Sequence, residues 1–323
     1  MAGLATGAAS RARAIPLASA LTVGDTAAGH LRGFASGEGM KNWLAGWCCL
    51  LLCGVAFASG PGGVRKRVQA SMLLTGTIVV APDGSVRSYA IDRADQVEPA
   101  AMSLVNRSIP AWKFEPVLLA GKPVAAKATM SLRVVAKPIG DGNYSLAISG
   151  THFGQEAPGQ HVTYQNRVPP TYPPQAIKGR VTGTVYLVLR VGRQGQVEDA
   201  EAEQVNLAVI ASDRDMVQWR NVLAKSALAA ARKWTFHTPT SGEYVNAPYW
   251  IARVPVAYHL KTLDEPEVDT YGKWQAYVPG PKELVPWIDS QRLLSGSADA
   301  LPGDGIYQLD RNGLQLLTPL SGA

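Results

Sequence analysis

One stretch of the sequence decides the fold of its second half: Gly183-Thr-Val-Tyr-Leu-Val-Leu-Arg-Val191. Apolar residues occupy every second position in it, which is the period of a strand with one buried face. They are Val185, Leu187, Leu189 and Val191. A turn signal follows at 192–195, and Val197 to Val205 then predicts a return strand. Its glutamates favour a solvated outer position: Glu198, Glu201 and Glu203.

An amphipathic helix and a closing strand follow this pair. Ser212 and Asp215 have the spacing of a capping box, which predicts that a helix begins there. Apolar residues then recur at steps of three and four, so one side of the helix should be buried. They are Met216, Trp219, Val222, Leu223, Ala227, Ala230 and Trp234. The closing strand again has one apolar face: Trp250, Ala252, Val254, Val256, Tyr258 and Leu260.

The order strand, turn, strand, helix, strand predicts an α+β fold. The helix must cover the apolar face of the sheet, because a small sheet is not stable with that face in water. A right-handed crossover places the last strand beside the first, so the last strand lies at the edge of the sheet. Pro255 fits this position, since proline within a strand is tolerated mainly at an edge.

Residues 65–150 repeat the pattern in a shorter form. The corresponding segments are strands at 76–80 and 86–91, a helix that opens at Pro99 and a closing strand at 127–134. Trp112-Lys-Phe114 also matches Trp234-Thr-Phe236. We therefore predict two modules, each a small antiparallel sheet covered by a helix on one face, joined by a linker at 151–164. The first module is either a second partner-binding unit or a diverged structural support.

The sheet edges are expected to differ between the two modules. After the turn signal at 140–143, an alternating run at 144–148 should pair with the closing strand of the first module and occupy its edge. The second module would then keep a free edge. The irregular tail at 261–323 contains Trp274, Tyr277 and Trp287, which is enough aromatic surface to dock on the protein and cover that edge as well.

Five short motifs occur in order along residues 165–260. They are Pro170-Thr-Tyr172-Pro173-Pro-Gln-Ala176, Gly183-Thr-Val185, Gly195-Gln-Val197, Ala229-Ala-Ala-Arg-Lys-Trp234-Thr-Phe236 and Val254-Pro-Val256. Each motif is weak alone, but their order and spacing are specific, and together they resemble the TonB C-terminal domain family. The resemblance covers under a third of the chain, with a diverged copy at about 70–136.

In that family the domain lies in the periplasm and binds a short peptide of an outer-membrane transporter, which adds as an extra strand to the sheet edge. The resemblance therefore implies a periplasmic protein whose partners are outer-membrane transporters and an inner-membrane proton-channel complex. The partner-binding residues that it implies are Tyr172, Pro173, Arg253, Val254, Val256, Tyr258 and Leu260. An aromatic residue such as Tyr172 also fits a role in core packing.

Two features depart from a full-length energy transducer of this family. The apolar segment 43–58 contains no Ser or His, and the chain has no long proline-rich spacer of the kind that crosses the periplasm. Energy transduction for transmembrane transport is therefore implied by the resemblance alone. The alternative is a non-energised structural or assembly protein of the cell envelope that has kept the fold.

Residues 40–58 have the layout of a secretory signal peptide. Met40-Lys41 supplies a start-like methionine and a positive charge, and Ala56-Phe57-Ala58 is a cleavage pattern before Ser59. The apolar stretch is shorter than the ~20 residues that span a bilayer comfortably. An uncleaved inner-membrane anchor is the alternative. We expect residues 1–39 to be unstructured and translation to start at Met40.

Composition and motifs exclude several classes of function. With 46% apolar and 17% charged residues, the chain is expected to fold rather than remain disordered. No cysteine follows Cys53, so zinc–cysteine sites, thiol nucleophiles and disulfides are excluded beyond it. His152 and His161 are expected to be solvated in the linker, without metal-ligand spacing. No catalytic, cofactor or nucleic-acid motif occurs, which predicts a non-enzymatic protein without metal or cofactor.

The signal segment generates the first prediction. If residues 40–58 are cleaved, intact-mass spectrometry of the exported protein should give an amino terminus at Ser59. A mature chain that begins upstream of residue 40 would contradict both the predicted start and the predicted cleavage.

Overall fold

The structure, a computed structural model, describes residues 68–141, 143–154, 158–260, 269–288, 297–303, 305–309 and 314–320. These residues form an α+β protein with antiparallel sheets and few helices. The helices are α1 (Pro99–Ser108), α2 (Pro174–Lys178) and α3 (Asp213–Ala231). The signal segment, with Ala58 and Ser59, and residues 1–39 lie outside the described residues.

The strands of the first half are β1 (Gln69–Val80), β2 (Val86–Ile91), β3 (Leu118–Leu119), β4 (Lys122–Pro123), β5 (Ala126–Gly140) and β6 (Asn143–Gly154). Those of the second half are β7 (Thr163–Asn166), β8 (Gly183–Gly192), β9 (Val197–Leu207), β10 (Thr235–His237), β11 (Tyr249–Tyr258), β12 (Gln275–Tyr277) and β13 (Tyr307–Gln308).

The first sheet is built on the long antiparallel pair β1 and β5. β6 pairs with the outer side of β5, as predicted, while β2 and β12 pair with separate parts of the outer side of β1. Helix α1 has Pro99 at its first position, as predicted, and covers one face. The core between them contains apolar residues at alternate positions of both strands: Met72, Leu74, Ile78, Val80, Ala128, Met130, Leu132 and Val134.

The second sheet has the order β9, β8, β11, β13, with all neighbours antiparallel. The closing strand β11 lies beside β8, as the crossover rule predicts. Helix α3 covers one face, and Ser212 is its N-cap, where the sequence predicts that the helix begins. The Oγ of Ser212 accepts a hydrogen bond from the Asp215 N–H at 3.2 Å and donates one to the Asp215 carboxylate at 2.6 Å.

The same turn contact occurs in both sheets. Gly84 and Gly195 adopt φ values of 78° and 81°, a region that favours glycine. The Phe114 N–H donates to the Gly84 carbonyl at 2.8 Å, and the Phe236 N–H donates to the Gly195 carbonyl at 2.7 Å. The predicted match between the two Trp-x-Phe segments therefore extends to their backbone contacts, and all four aromatic rings are buried.

The described parts of the tail bind along both sheets. Besides β12 on β1, the Val278 N–H donates to the Leu207 carbonyl at 2.8 Å on the outer side of β9. The short helical turn Ala298–Ala300 contacts β5 and β6 of the first sheet and β9 and β11 of the second. Near the end of the chain, the Leu317 N–H donates to the Lys113 carbonyl at 2.8 Å. The described parts of the tail thus contact both sheets.

The predicted linker at 151–164 is shorter in the structure. Residues 151–154 are the last residues of β6 and pair with residues 129–132 of β5, because the alternation of β6 continues past its predicted end. Residues 163 and 164 begin β7, which pairs with β10 beside the second sheet. Along the chain, the described residues that connect β6 with β7 are therefore 158–162, which include a turn.

The turn glycines generate the second prediction. A Cβ at Gly195 would lie 2.0 Å from the Phe236 carbonyl oxygen, whereas a Cβ at Gly121, with φ of 76°, would meet nothing within 4 Å. Gly121→Ala should therefore lower the free energy of unfolding by about 1–2 kcal/mol, the cost of a positive φ at alanine. Gly195→Ala should lower it by about 1–3 kcal/mol more, because the neighbouring backbone must also move. Urea unfolding measures both, and equal losses would contradict this account of the turn.

Candidate peptide-binding edge

Strand β11 directs alternate backbone groups away from the sheet. In an antiparallel pair, the N–H and C=O of one residue point to the same side, and successive residues alternate. The Ile251 carbonyl accepts the Leu309 N–H at 2.8 Å from the tail, and the register with β8 is unbroken. The outward residues are therefore Tyr249, Ile251, Arg253, Pro255 and Ala257.

The tail occupies part of this edge. β13 pairs Gln308 with Ala252 and Tyr307 with Arg253. From residue 254 to residue 258, β11 has no strand partner on its outer side among the described residues. The expected receiving edge at 253–260 is thus covered by the tail at its first residue. From residue 254 to residue 258 the strand has no such cover among the described residues, and Pro255 within it provides no donor.

Three of the predicted site residues lie in the core rather than on the surface. Val254, Val256 and Tyr258 are at most 2% exposed and pack in the cluster beneath α3. The Tyr258 hydroxyl donates to the Leu223 carbonyl at 3.2 Å, and burial raises the pKa of this tyrosine. These residues fix the edge strand against the helix, and their backbone groups point towards β8, so they serve an incoming peptide only by holding β11 in place. Leu260 is half-buried.

Tyr172 and Pro173 belong to an extended segment that packs beside the end of β11. The Tyr172 hydroxyl donates to the Val181 carbonyl at 2.5 Å, and its ring meets that of Tyr258 edge-on, with the centroids 5.3 Å apart. The same segment accepts the Trp234 indole N–H at the Val168 carbonyl, at 2.7 Å. Partial burial raises the pKa of Tyr172. These contacts support the core-packing interpretation of Tyr172.

Arg253 is 1% exposed and binds Glu203 through two hydrogen bonds of 2.7 and 2.8 Å. The prediction that Glu203 lies on a solvated strand is therefore wrong. Both side chains project from the sheet face opposite α3, and the tail covers that face, where Val285 and Ile288 pack with Val188 and Ile251. The charge of Arg253 is compensated inside the protein and is not presented to a partner.

The expectation that His152 is solvated is also wrong. It lies in β6, and its ring meets the Tyr307 ring of the tail edge-on, with the centroids 5.0 Å apart. Burial, together with the charge of Arg253, lowers the pKa of His152 to about 4. The histidine is therefore neutral at pH 7 and belongs to the packing between the first sheet and the tail.

A buried polar cluster that the sequence did not reveal lies between the two sheets. The Tyr277 hydroxyl donates to the carboxylate of Asp299, and the Arg133 Nε donates to the Asp299 carbonyl at 2.7 Å. Burial and the nearby carboxylate raise the pKa of Tyr277. The partners are 22 and 166 residues apart, so no local pattern could have paired them. Among the described residues, no group of three or more potential ligands could hold a metal ion.

Comparison with known proteins agrees with the geometry of the second sheet. Residues 168–260 match the family model described as Gram-negative bacterial TonB protein C-terminal. This segment is a TonB C-terminal domain. The match begins before α2 and ends just after β11, so it includes the edge strand and excludes the tail. No curated protein and no solved structure matches the chain.

The TonB C-terminal domain family is non-enzymatic and associated with transport, and it implies a location in the periplasmic envelope. Within the described ranges, no helix is long and apolar enough to cross a membrane. The segment that was predicted to enter the membrane or to be cleaved lies outside those ranges.

The Arg253–Glu203 pair generates the third prediction. Glu203→Gln leaves a buried guanidinium without its counter-charge, which should cost about 3–5 kcal/mol of unfolding free energy. The matched control is Glu198→Gln, since Glu198 lies 3.4 Å from Arg190 and both side chains are about one-third exposed. That control should cost less than ~1 kcal/mol. Similar urea midpoints for the two variants would show that the Arg253–Glu203 pair is not a determinant of stability.

Proposed function

We propose that this protein is a TonB-like periplasmic protein that binds peptides of outer-membrane transporters by adding them as a strand to β11. The observation that carries the proposal is the position of β11. It is the closing strand of a TonB C-terminal domain, and its outer side is unpaired from residue 254 to residue 258 among the described residues. Strand addition needs only main-chain groups at such an edge, and side chains then select the sequence.

The contacts of the first sheet support an internal repeat within this function. Its turn at Gly84, its Trp-x-Phe segment and its crossover to β5 have counterparts at Gly195, Trp234–Phe236 and β11. β5 is longer than β11, and β6 covers the outer side of its extension from residue 129 onwards. We interpret the first module as a diverged TonB-C-like support, because β6 pairs with the outer side of β5, the side where a peptide would add.

Energy transduction is a separate part of the proposal. It would need residues 43–58 to remain in the inner membrane and to engage a proton-channel complex. The alternative is a non-energised structural or assembly protein of the periplasm, and the tail that covers both sheets favours it. Co-purification of the chain with a proton-channel complex supports transduction. A freely soluble mature protein supports the alternative.

The outward direction of Ala257 generates the fourth prediction. Ala257→Pro removes the outward N–H that an added strand needs, while the ladder with β8 uses the neighbouring residues. Loss of this hydrogen bond should lower the recovery of outer-membrane transporters from detergent extracts about tenfold. The matched control, Ala257→Ser, keeps the N–H and should recover them like the unaltered protein. Equal recovery by both variants would rule out strand addition at this edge.

Position 256 is not suitable for this test. Val256 directs its N–H towards β8, where it lies opposite Val185. Proline there would break the central ladder and unfold the sheet, so a loss of binding would not report on the edge.

A further inference from the structure

The outer side of β11 offers few hydrogen-bond donors. Its outward residues are Tyr249, Ile251, Arg253, Pro255 and Ala257, and proline has no N–H. An added strand confined to residues 254–258 would therefore meet a single outward donor, that of Ala257. Of the other outward donors, those of Ile251 and Arg253 lie opposite Leu309 and Tyr307 of the tail. A peptide that uses the whole edge must take the place of the tail.

The tail segment Gly305–Leu309 binds this edge as an extended peptide would. Its side chains alternate between the two faces of the sheet. Ile306 packs on the core beneath α3, and the Gln308 side-chain oxygen accepts the Val162 N–H at 3.2 Å on that same face. On the opposite face, Tyr307 meets His152, and Leu309 is buried with Val188 and Ile251. Four consecutive side chains thus fill four separate positions around the edge.

The segment pairs with its sheet over a shorter length than its neighbours do. β13 contains two residues, whereas β6 contains twelve and pairs with β5 along almost its whole length. The tail is anchored independently on both sides of it. Before it, the Ser131 hydroxyl donates to the Ala300 carbonyl at 2.5 Å, and after it, the Leu317 N–H donates to the Lys113 carbonyl. The segment can therefore leave the edge by local opening while the remainder of the tail stays bound.

We propose that the edge of β11 selects extended peptides with the pattern aliphatic, aromatic, amide, leucine, and that Gly305–Leu309 occupies it as a displaceable internal ligand. This inference rests on the proposed function and adds the class of peptide and the competitor that a partner must displace. Because the segment is tethered beside its site, its effective concentration is high. The apparent affinity for a partner peptide with the same pattern is then lowered in proportion to the fraction of molecules whose edge is free of the segment.

An engineered disulfide tests the displacement. Ala252 and Gln308 lie directly opposite each other in an antiparallel pair, a spacing that a disulfide can bridge. The chain has only three cysteines, so Ala252→Cys with Gln308→Cys can be made in a full-length background with Cys48, Cys49 and Cys53 changed to Ser. The probe is a dye-labelled peptide, Gly-Ile-Tyr-Gln-Leu, followed by fluorescence anisotropy. A peptide with the Tyr and Gln changed to Ala is the sequence control.

The reduced protein should bind the probe at least about tenfold more tightly than the oxidised protein, in which the tail cannot leave. The altered peptide should bind neither form. Equal binding to the oxidised and reduced forms would overturn the proposal, and so would absence of binding to the reduced form. Each single cysteine variant should bind the probe equally with and without reductant.

A second variant keeps the test independent of the disulfide. Ile306→Asp with Leu309→Asp removes both apolar anchors of the segment and should bind the probe about tenfold more tightly than the unaltered chain. Leu317→Asp is the control, since Leu317 is 62% exposed, and it should leave binding unchanged. No gain in the double variant would contradict displacement.

Failure of the proposed function has a different signature. In one outcome, binding of the probe depends on the disulfide but neither redox form recovers a transporter. The proposed peptide pattern of the edge is then supported, and the proposal that the protein binds transporters is rejected. If transporters are recovered equally by both redox forms, through Ala257, the internal-ligand proposal falls and the proposed function stands.

Discussion

The buried pair of Arg253 and Glu203 sets the arrangement of the second sheet and of what covers it. A guanidinium and a carboxylate on the face opposite α3 can be buried only if both are fully hydrogen-bonded, because the desolvation of either alone is very costly. The two bonds of 2.7 and 2.8 Å satisfy this condition between β9 and β11. They also make that face a surface on which the tail and the first sheet can pack.

The tail follows from this constraint. When the face opposite α3 is buried as well, another part of the chain must cover it. The described parts of the tail do so through both apolar and polar contacts. Val285, Ile288 and Leu309 pack on Val188 and Ile251, while Asp299 binds Tyr277 and Arg133. The two halves of the protein are therefore connected through specific polar contacts as well as apolar packing, and this favours one arrangement over alternatives.

Function at the edge of β11 depends on the same arrangement. The core residues Val254, Val256 and Tyr258 hold the strand against α3, while its outward backbone groups either lie opposite a short tail segment or have no strand partner among the described residues. A firmly packed strand with a neighbour of only two paired residues is suited to exchange one peptide for another. His152 and Tyr307 connect that neighbour to the first sheet, so the two halves share the edge.

The sequence by itself determined the local elements and the family. Alternation in β8 and β11, the capping box at Ser212, Pro99 at a helix start and the two Trp-x-Phe segments are patterns within a few residues, and local backbone preferences suffice to read them. Only the tertiary structure decided that Glu203 is buried, that β6 extends to Gly154 and that residues 307–308 cover part of the edge. These features join residues that lie far apart in the chain. Whether a glutamate meets water or an arginine depends on which surface packs over it, and no local pattern carries that information.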